Sequence, residues 1–297
     1  MNGFLNLYKE SGFTSHDCVA KLRRIFGQKK IGHMGTLDPD AEGVLPVALG
    51  KATRLIELFD DEYKTYRVTM LLGITTDTLD VTGTVLDEKE VCASEEEVRQ
   101  CLFSFLGKSM QIPPMYSALK KDGKRLYELA REGKEVEREA REITVYALKI
   151  SKLDLPRVCF DVTVSRGTYI RSICDDAGRR LGCGACMEKL ERTEVGRFCA
   201  KDSFKLRDLE MLAEKGSLSA AVRPMTDAFP GMPVIHTRPE ADTAAHNGNA
   251  VYTDRLEANA QEAERFWLFD SGNRPVGIYI RNKNRCTPLK MVYEEEN

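Results

Sequence analysis

The sequence predicts an α+β fold: a mixed, largely antiparallel sheet with packed helices, plus a small β-rich C-terminal domain. Three observations carry this. Strand-like alternation and helix-like periodicity are interleaved along the chain without regular βαβ spacing. At 297 residues the chain is near the size where a single core stops growing, so one large domain and one small one are expected. A cluster of chain breakers, Phe229-Pro230-Gly231-Met232-Pro233, then separates the main body from a tail of short strand candidates.

Taken in order, residues 15–27 form an amphipathic helix, with Val19, Leu22, Ile25 and Phe26 on one face. Thr14 with Asp17 makes an acidic variant of the capping box at its start. Residues 66–72 read as a strand and 81–86 as another, separated by a polar turn over 75–80. Ser94 and Glu97 cap a helix whose stripe is Val98, Cys101, Leu102 and Phe105, with Gly107 as its stop. Val158, Phe160, Val162 and Val164 alternate with Cys159, Asp161 and Thr163, as in a half-buried strand. That strand runs through Ser165-Arg166-Gly167 into a helix over about 169–181. In the tail, strands are expected at 266–269, 276–280 and 289–293, with turns at Asn247-Gly248-Asn249 and Ser271-Gly272-Asn273.

A hydrophobic content of 42% with 30% charged residues fits a soluble globular protein. No apolar run approaches the ~20 residues of a membrane span. The first residues lack the basic and apolar regions of a secretory signal. Nine cysteines, an odd number without paired spacing, point to free thiols in a reducing cytoplasm. Cys183-Gly184-Ala185-Cys186 is a lone CxxC, too little for a zinc site. Net charge is only −2. Positive charge is nevertheless concentrated locally. Lys21, Arg23, Arg24, Lys29 and Lys30 fall in one stretch without an acid, and Lys120, Lys121, Lys124 and Arg125 surround Gly123. Either cluster suits a solvated face or a phosphate-reading surface.

Between these clusters lies Gly32-His33-Met34-Gly35-Thr36-Leu37-Asp38-Pro39. Proline holds the preceding residue in extended geometry, and the glycines permit tight turning and close approach of a ligand. Such a loop fixes one carboxylate in a set pose. On local pattern alone, Asp38 is equally a turn residue or a nucleophile.

The run GHMGTLDPDAEGVLPVALGKATRL closely resembles the signature of the TruB family, bacterial enzymes that make pseudouridine in the T-loop of tRNA. Further segments follow in the same order: YRVTMLLGITTDTLDVTG, IPPMYSALKKDGKRLYELAREG, AREITVY and SRGTYIRSICDDAGRRLGCGA. The resemblance spans roughly residues 1–229. It implies the pseudouridine synthase fold for 1–229, with 113–143 as a thumb-like RNA-binding insertion. The tail, 230–297, faintly resembles a PUA-type RNA-binding module, and a purely structural cap is the equal alternative.

The implied activity is isomerisation of uridine 55 in the tRNA T-loop. Asp38 is then the catalytic aspartate, Tyr66 the tyrosine at the target base, and Arg171 the arginine paired with the aspartate. His33, Tyr169, Leu190, Asp80 and Lys9 match substrate-binding positions. Lys29, Lys30, Lys120, Lys121 and Lys124 are candidate phosphate contacts. Glu10 stands where the family has proline, and Cys186 where it has histidine. The chemistry is an internal rearrangement that consumes nothing, so no cofactor or metal is expected. The target uridine is flipped from its stack before Asp38 reaches it. Whether Asp38 attacks the sugar or removes a proton to start glycal formation stays open. The implied partner is tRNA, with no membrane, no required protein partner, a monomeric enzyme and a cytoplasmic location. A non-catalytic RNA binder or a synthase for ribosomal or guided RNA are the other readings. All motifs with a chemical role precede Phe229, so a chain ending there is expected to fold and to retain the chemistry.

Overall fold

The structure, a computed structural model, describes residues 1–59, 63–121, 123–257 and 263–294. Its centre is a ten-stranded sheet. Along the main path the strands run Val222–Arg223, Gly3–Lys9, Glu42–Leu49, Ala185–Val195, Lys64–Leu72, Arg157–Val164, Arg141–Asp154 and Gly107–Gln111. Neighbours pair antiparallel except at one seam, where Glu42–Leu49 meets Ala185–Val195 in parallel. That seam is two residue pairs long, Glu42 with Glu191 and Gly43 with Arg192. A Cβ on Gly43 would lie 2.2 Å from the Arg192 carbonyl oxygen, and its φ is +110°. Only glycine permits this approach.

Side-chain alternation decides what covers each face. Leu5, Leu7, Leu45, Val47 and Leu49 point to one side and bury against the helices Ser15–Ile25 and Leu206–Glu214. Phe4, Val44 and Ala48 point to the other, beneath the 3₁₀ helix Gly50–Phe59. In the other half, Tyr66, Val68, Met70 and Leu72 join Val158, Phe160, Val162 and Val164 under the helices Glu95–Phe103 and Ile170–Leu181. Both expected capping boxes form, Thr14 with Asp17 and Ser94 with Glu97.

The tail is a five-stranded sheet in the order Val234–His236, Arg265–Phe269, Pro275–Asn282, Arg285–Met291 and Val251–Tyr252. It does not hang free. Trp267, Ile278 and Val292 share one core with Phe4, Leu55 and Phe198, and Phe229 bridges them in ring contacts to Phe59 and Trp267.

Three local expectations shift. The strand expected at 81–86 is Val85–Glu88. Residues 77–84 are instead tied by side chains: Asp80 accepts from the Thr78 and Thr82 hydroxyls, and Asp77 from the Thr84 amide. Such bonds offer the backbone an alternative to a ladder. Gly107 does not stop the helix, which ends at Phe103; it opens the strand Gly107–Gln111 with φ +93°. The strand expected at 289–293 is Arg285–Met291, because the hairpin turns at Lys283, whose φ is +57°.

Candidate active site

Asp38 lies on the loop between the strands Ile31–His33 and Glu42–Leu49. The loop is braced at almost every residue. The Leu37 amide donates to the Ser15 hydroxyl at 2.9 Å. The Gly12 amide donates to the Pro39 carbonyl at 3.0 Å, and the Ala41 amide closes back on the Asp38 carbonyl at 3.2 Å. Lys9, fully buried, donates its ammonium to the carbonyls of Glu10, Pro39 and Ala41. This position corrects the expectation of a substrate contact at Lys9: the side chain points into the protein behind the loop.

Arg171 approaches from the first turn of the helix Ile170–Leu181. Its Nη2 lies 3.1 Å from Asp38 Oδ2, and its side chain is 7% exposed. The same fork donates to the carbonyls of Thr78 at 3.1 Å and Tyr116 at 2.8 Å, with Asp80 Oδ2 at 3.7 Å. Asp80 therefore sits behind the arginine, where it steadies the fork. Asp38 keeps 42% of its side-chain surface open to the cleft, yet protein atoms crowd the carboxyl from behind. That crowding pushes its pKa above the ordinary carboxylate value; Arg171 opposes the rise and the Asp80 charge adds to it.

The cleft encloses about 370 Å³. Asp38, Tyr66, Tyr169, Leu190 and Arg171 all line it, so five of the expected positions converge. Tyr66 comes from the strand Lys64–Leu72 and Leu190 from its neighbour, paired opposite Val68. Tyr169 is the N-cap of the Arg171 helix. His33 is half-buried on the strand before the loop and is not among the lining residues. Burial and the Arg192 charge lower its pKa, which keeps the ring neutral. Lys29, Lys30, Lys120, Lys121 and Lys124 lie on the surface; Lys120 pairs with Arg125, and Lys121 with Lys124, in two short strands around Gly123. Lys121 donates to the Glu137 carbonyl, and Lys124 pairs with Glu132 at 3.3 Å. Cys183 and Cys186 are buried, and burial pushes the Cys186 thiol up to about 11, so it stays protonated.

The model of the TruB family pseudouridylate synthase N-terminal domain matches residues 23–170, and that of the tRNA pseudouridylate synthase B C-terminal domain matches 171–229. The chain belongs to the TruB family. A relative from Clostridium novyi (strain NT), described as tRNA pseudouridine synthase B, is 43% identical over 292 residues, covering 98% of this chain and 100% of that protein. One of the same description from Geobacter sulfurreducens is 48% identical, covering 77% and 76%. Among solved structures, a Cbf5-Nop10-Gar1 complex superposes with a TM-score of 0.73 at 28% identity, covering 98% of this chain and 85% of that one. An H/ACA RNP bound to a substrate RNA containing 2′-deoxyuridine gives 0.71 at 25%, with the same coverage.

Two residues of this TruB-family site escape motif reading. Gln111, 4% exposed, clamps the backbone of Tyr169: its Oε1 accepts from the Tyr169 amide at 2.8 Å and its Nε2 donates to the Tyr169 carbonyl at 3.1 Å. Arg192, 1% exposed, lines the cleft floor. Gln111 stands just before the expected thumb and Arg192 two residues after Leu190, but neither carries a local sign of burial in the sequence.

Proposed function

We propose that this chain isomerises uridine 55 in the T-loop of tRNA to pseudouridine. The observation that carries the reading is the Asp38–Arg171 pair opening onto a cleft flanked by Tyr66 and Tyr169. A flipped base fits between aromatic faces, and a carboxylate fixed by a guanidinium meets the sugar. In the reaction the N1–C1′ bond breaks and a C5–C1′ bond forms, with the C5 proton lost and N1 gaining one. Asp38 begins the process at the sugar, as nucleophile at C1′ or as base at C2′, and the Tyr66 phenol, which lines the cleft, moves the ring proton. The cleft walls keep water from the freed base.

The segment 113–143 serves as the RNA-gripping thumb. Its root already reaches the site, since Ser117 and Ala118 line the cleft and the Tyr116 carbonyl accepts from Arg171. Residues 1–229 form the catalytic domain and 230–297 a PUA-like domain that adds RNA affinity. The enzyme acts as a monomer in the cytoplasm without a protein partner. Nine free thiols suit that compartment, and among the described residues no helix is long and apolar enough to cross a membrane.

The test incubates the purified chain with a T-stem-loop transcript, without guide RNA, partner protein or added cofactor, and maps pseudouridine by chemical labelling. Modification at position 55 supports the reading. Activity appearing only with a guide RNA or a partner protein would replace it with a guided synthase.

A further inference from the structure

The buried guanidinium of Arg192 has no carboxylate partner among the described residues. Burying an unneutralised cation is costly, so its donors must be used. They are. Nε donates to the Val44 carbonyl at 2.7 Å, Nη1 to Thr36 at 3.2 Å and Nη2 to Gly35 at 3.3 Å. Tyr66 stands directly opposite Arg192 in the pairing of their two strands, and its phenol lies against the same group. One planar fork therefore touches three segments: the loop just ahead of Asp38, the strand just after it, and the strand that carries Tyr66.

We propose that Arg192 is a positioning residue that sets the Asp38 loop and the Tyr66 hydroxyl in register with each other. The inference rests on the isomerase reading and deepens it. Gly35 has φ +106° and no side chain of its own to hold it, so its carbonyl direction depends on an outside donor. Tyr66 lines the same cleft as Arg192, so what packs against its phenol fixes where that hydroxyl sits. Only arginine brings five donors in a fixed plane; lysine offers three on a flexible stem. Gly43 explains how the group arrives there, because the missing Cβ lets the Arg192 backbone pair closely alongside the strand that follows the loop.

The test uses the full chain with Arg192→Lys and Arg192→Gln. Glutamine removes the buried charge and should fold even where lysine does not. Four readouts are compared: circular dichroism, affinity for a T-stem-loop, single-turnover rate at saturating RNA, and amide exchange over residues 34–41. The expected result is a folded protein with near wild-type affinity and faster exchange in the loop. Its rate falls about a hundredfold, as for a misplacement of roughly 1 Å, and does not recover on cooling. In a double-mutant cycle with Tyr66→Phe, the losses are expected to be less than additive, as for groups acting together. A wild-type rate in either folded variant, or full additivity with Tyr66→Phe, overturns the proposal. The wild-type control separates the two readings. If it makes no pseudouridine, the isomerase assignment fails, while unchanged loop exchange in the variants would still refute the positioning role.

Discussion

Asp38 carries opposite demands. Ionised, it can attack the sugar; in its crowded position, ionisation is disfavoured. Its folded pKa exceeds the unfolded one, so its contribution to stability is present below the ordinary carboxylate value and is lost as pH rises through the raised one. Asp38→Asn should therefore melt no lower than wild type at pH 8, because Arg171 keeps the Thr78 and Tyr116 carbonyls and Asp80. Thermal scans check this. The same variant should lose pseudouridine formation while keeping RNA affinity, which comes from phosphates and stacked bases. A folded Asp38→Asn turning over within about tenfold of wild type, ~1.4 kcal/mol of barrier, would refute the catalytic assignment. In wild type, single-turnover rate against pH should show an acid limb lying above the ~3.9 of an ordinary aspartate. A limb at or below that value would contradict the crowded, raised carboxyl.

At the scale of elements, legibility follows how locally each is determined. The helix Ser15–Ile25 and the strand Arg157–Val164 carry their own caps and alternation, and both are readable in the sequence. The strand Glu42–Leu49 is not, because Pro46 argues against a strand. It is tolerated because Pro46 pairs with Asn6 and needs to donate nothing, while its carbonyl accepts from the Met34 amide. In the site, Asp38, Tyr66 and Arg171 are reached through motifs that resemble a family. Gln111 and Arg192 are not, since a buried polar residue is defined by distant partners that no neighbouring residue reveals. The exposed lysines after the first helix carry a further prediction. Lys29→Glu with Lys30→Glu should weaken T-stem-loop binding and flatten its salt dependence by about 0.7–0.9 for each phosphate no longer neutralised. Filter binding across a salt series checks this; an unchanged slope would remove that face from the RNA surface.

For the whole molecule, the shared core alters what truncation should do. From the sequence alone, a chain ending at Phe229 should fold and keep its chemistry. The structure argues otherwise. Removing residues 230–297 strips Trp267, Ile278 and Val292 from a core that also contains Phe4 and Leu55. It also removes the tie from Lys51 to Glu294 and the Arg54 bond to the Met291 carbonyl. Large apolar side chains left exposed cost about 1.5–3 kcal/mol each. The truncated chain should melt well below the full one or aggregate, which scanning calorimetry and light scattering report. A truncation as stable as the full chain would show that the two sheets are independent.

The parallel seam at Gly43 has a consequence in time. On the ribosome, the loop that carries Asp38 emerges early, with Lys9 already made to brace one side of it. The Thr36 carbonyl waits for a donor 156 positions downstream. Such distant closures are slow and come late in folding, and synthesis delivers the N-terminal part first. A nascent chain stalled before Arg192 should therefore display the first helix and strands but no assembled cleft. Such an arrested chain should make no pseudouridine until residues 185–195 are free to pair, which an assay of chains stalled before and after Arg192 checks; activity in the shorter chain would refute it.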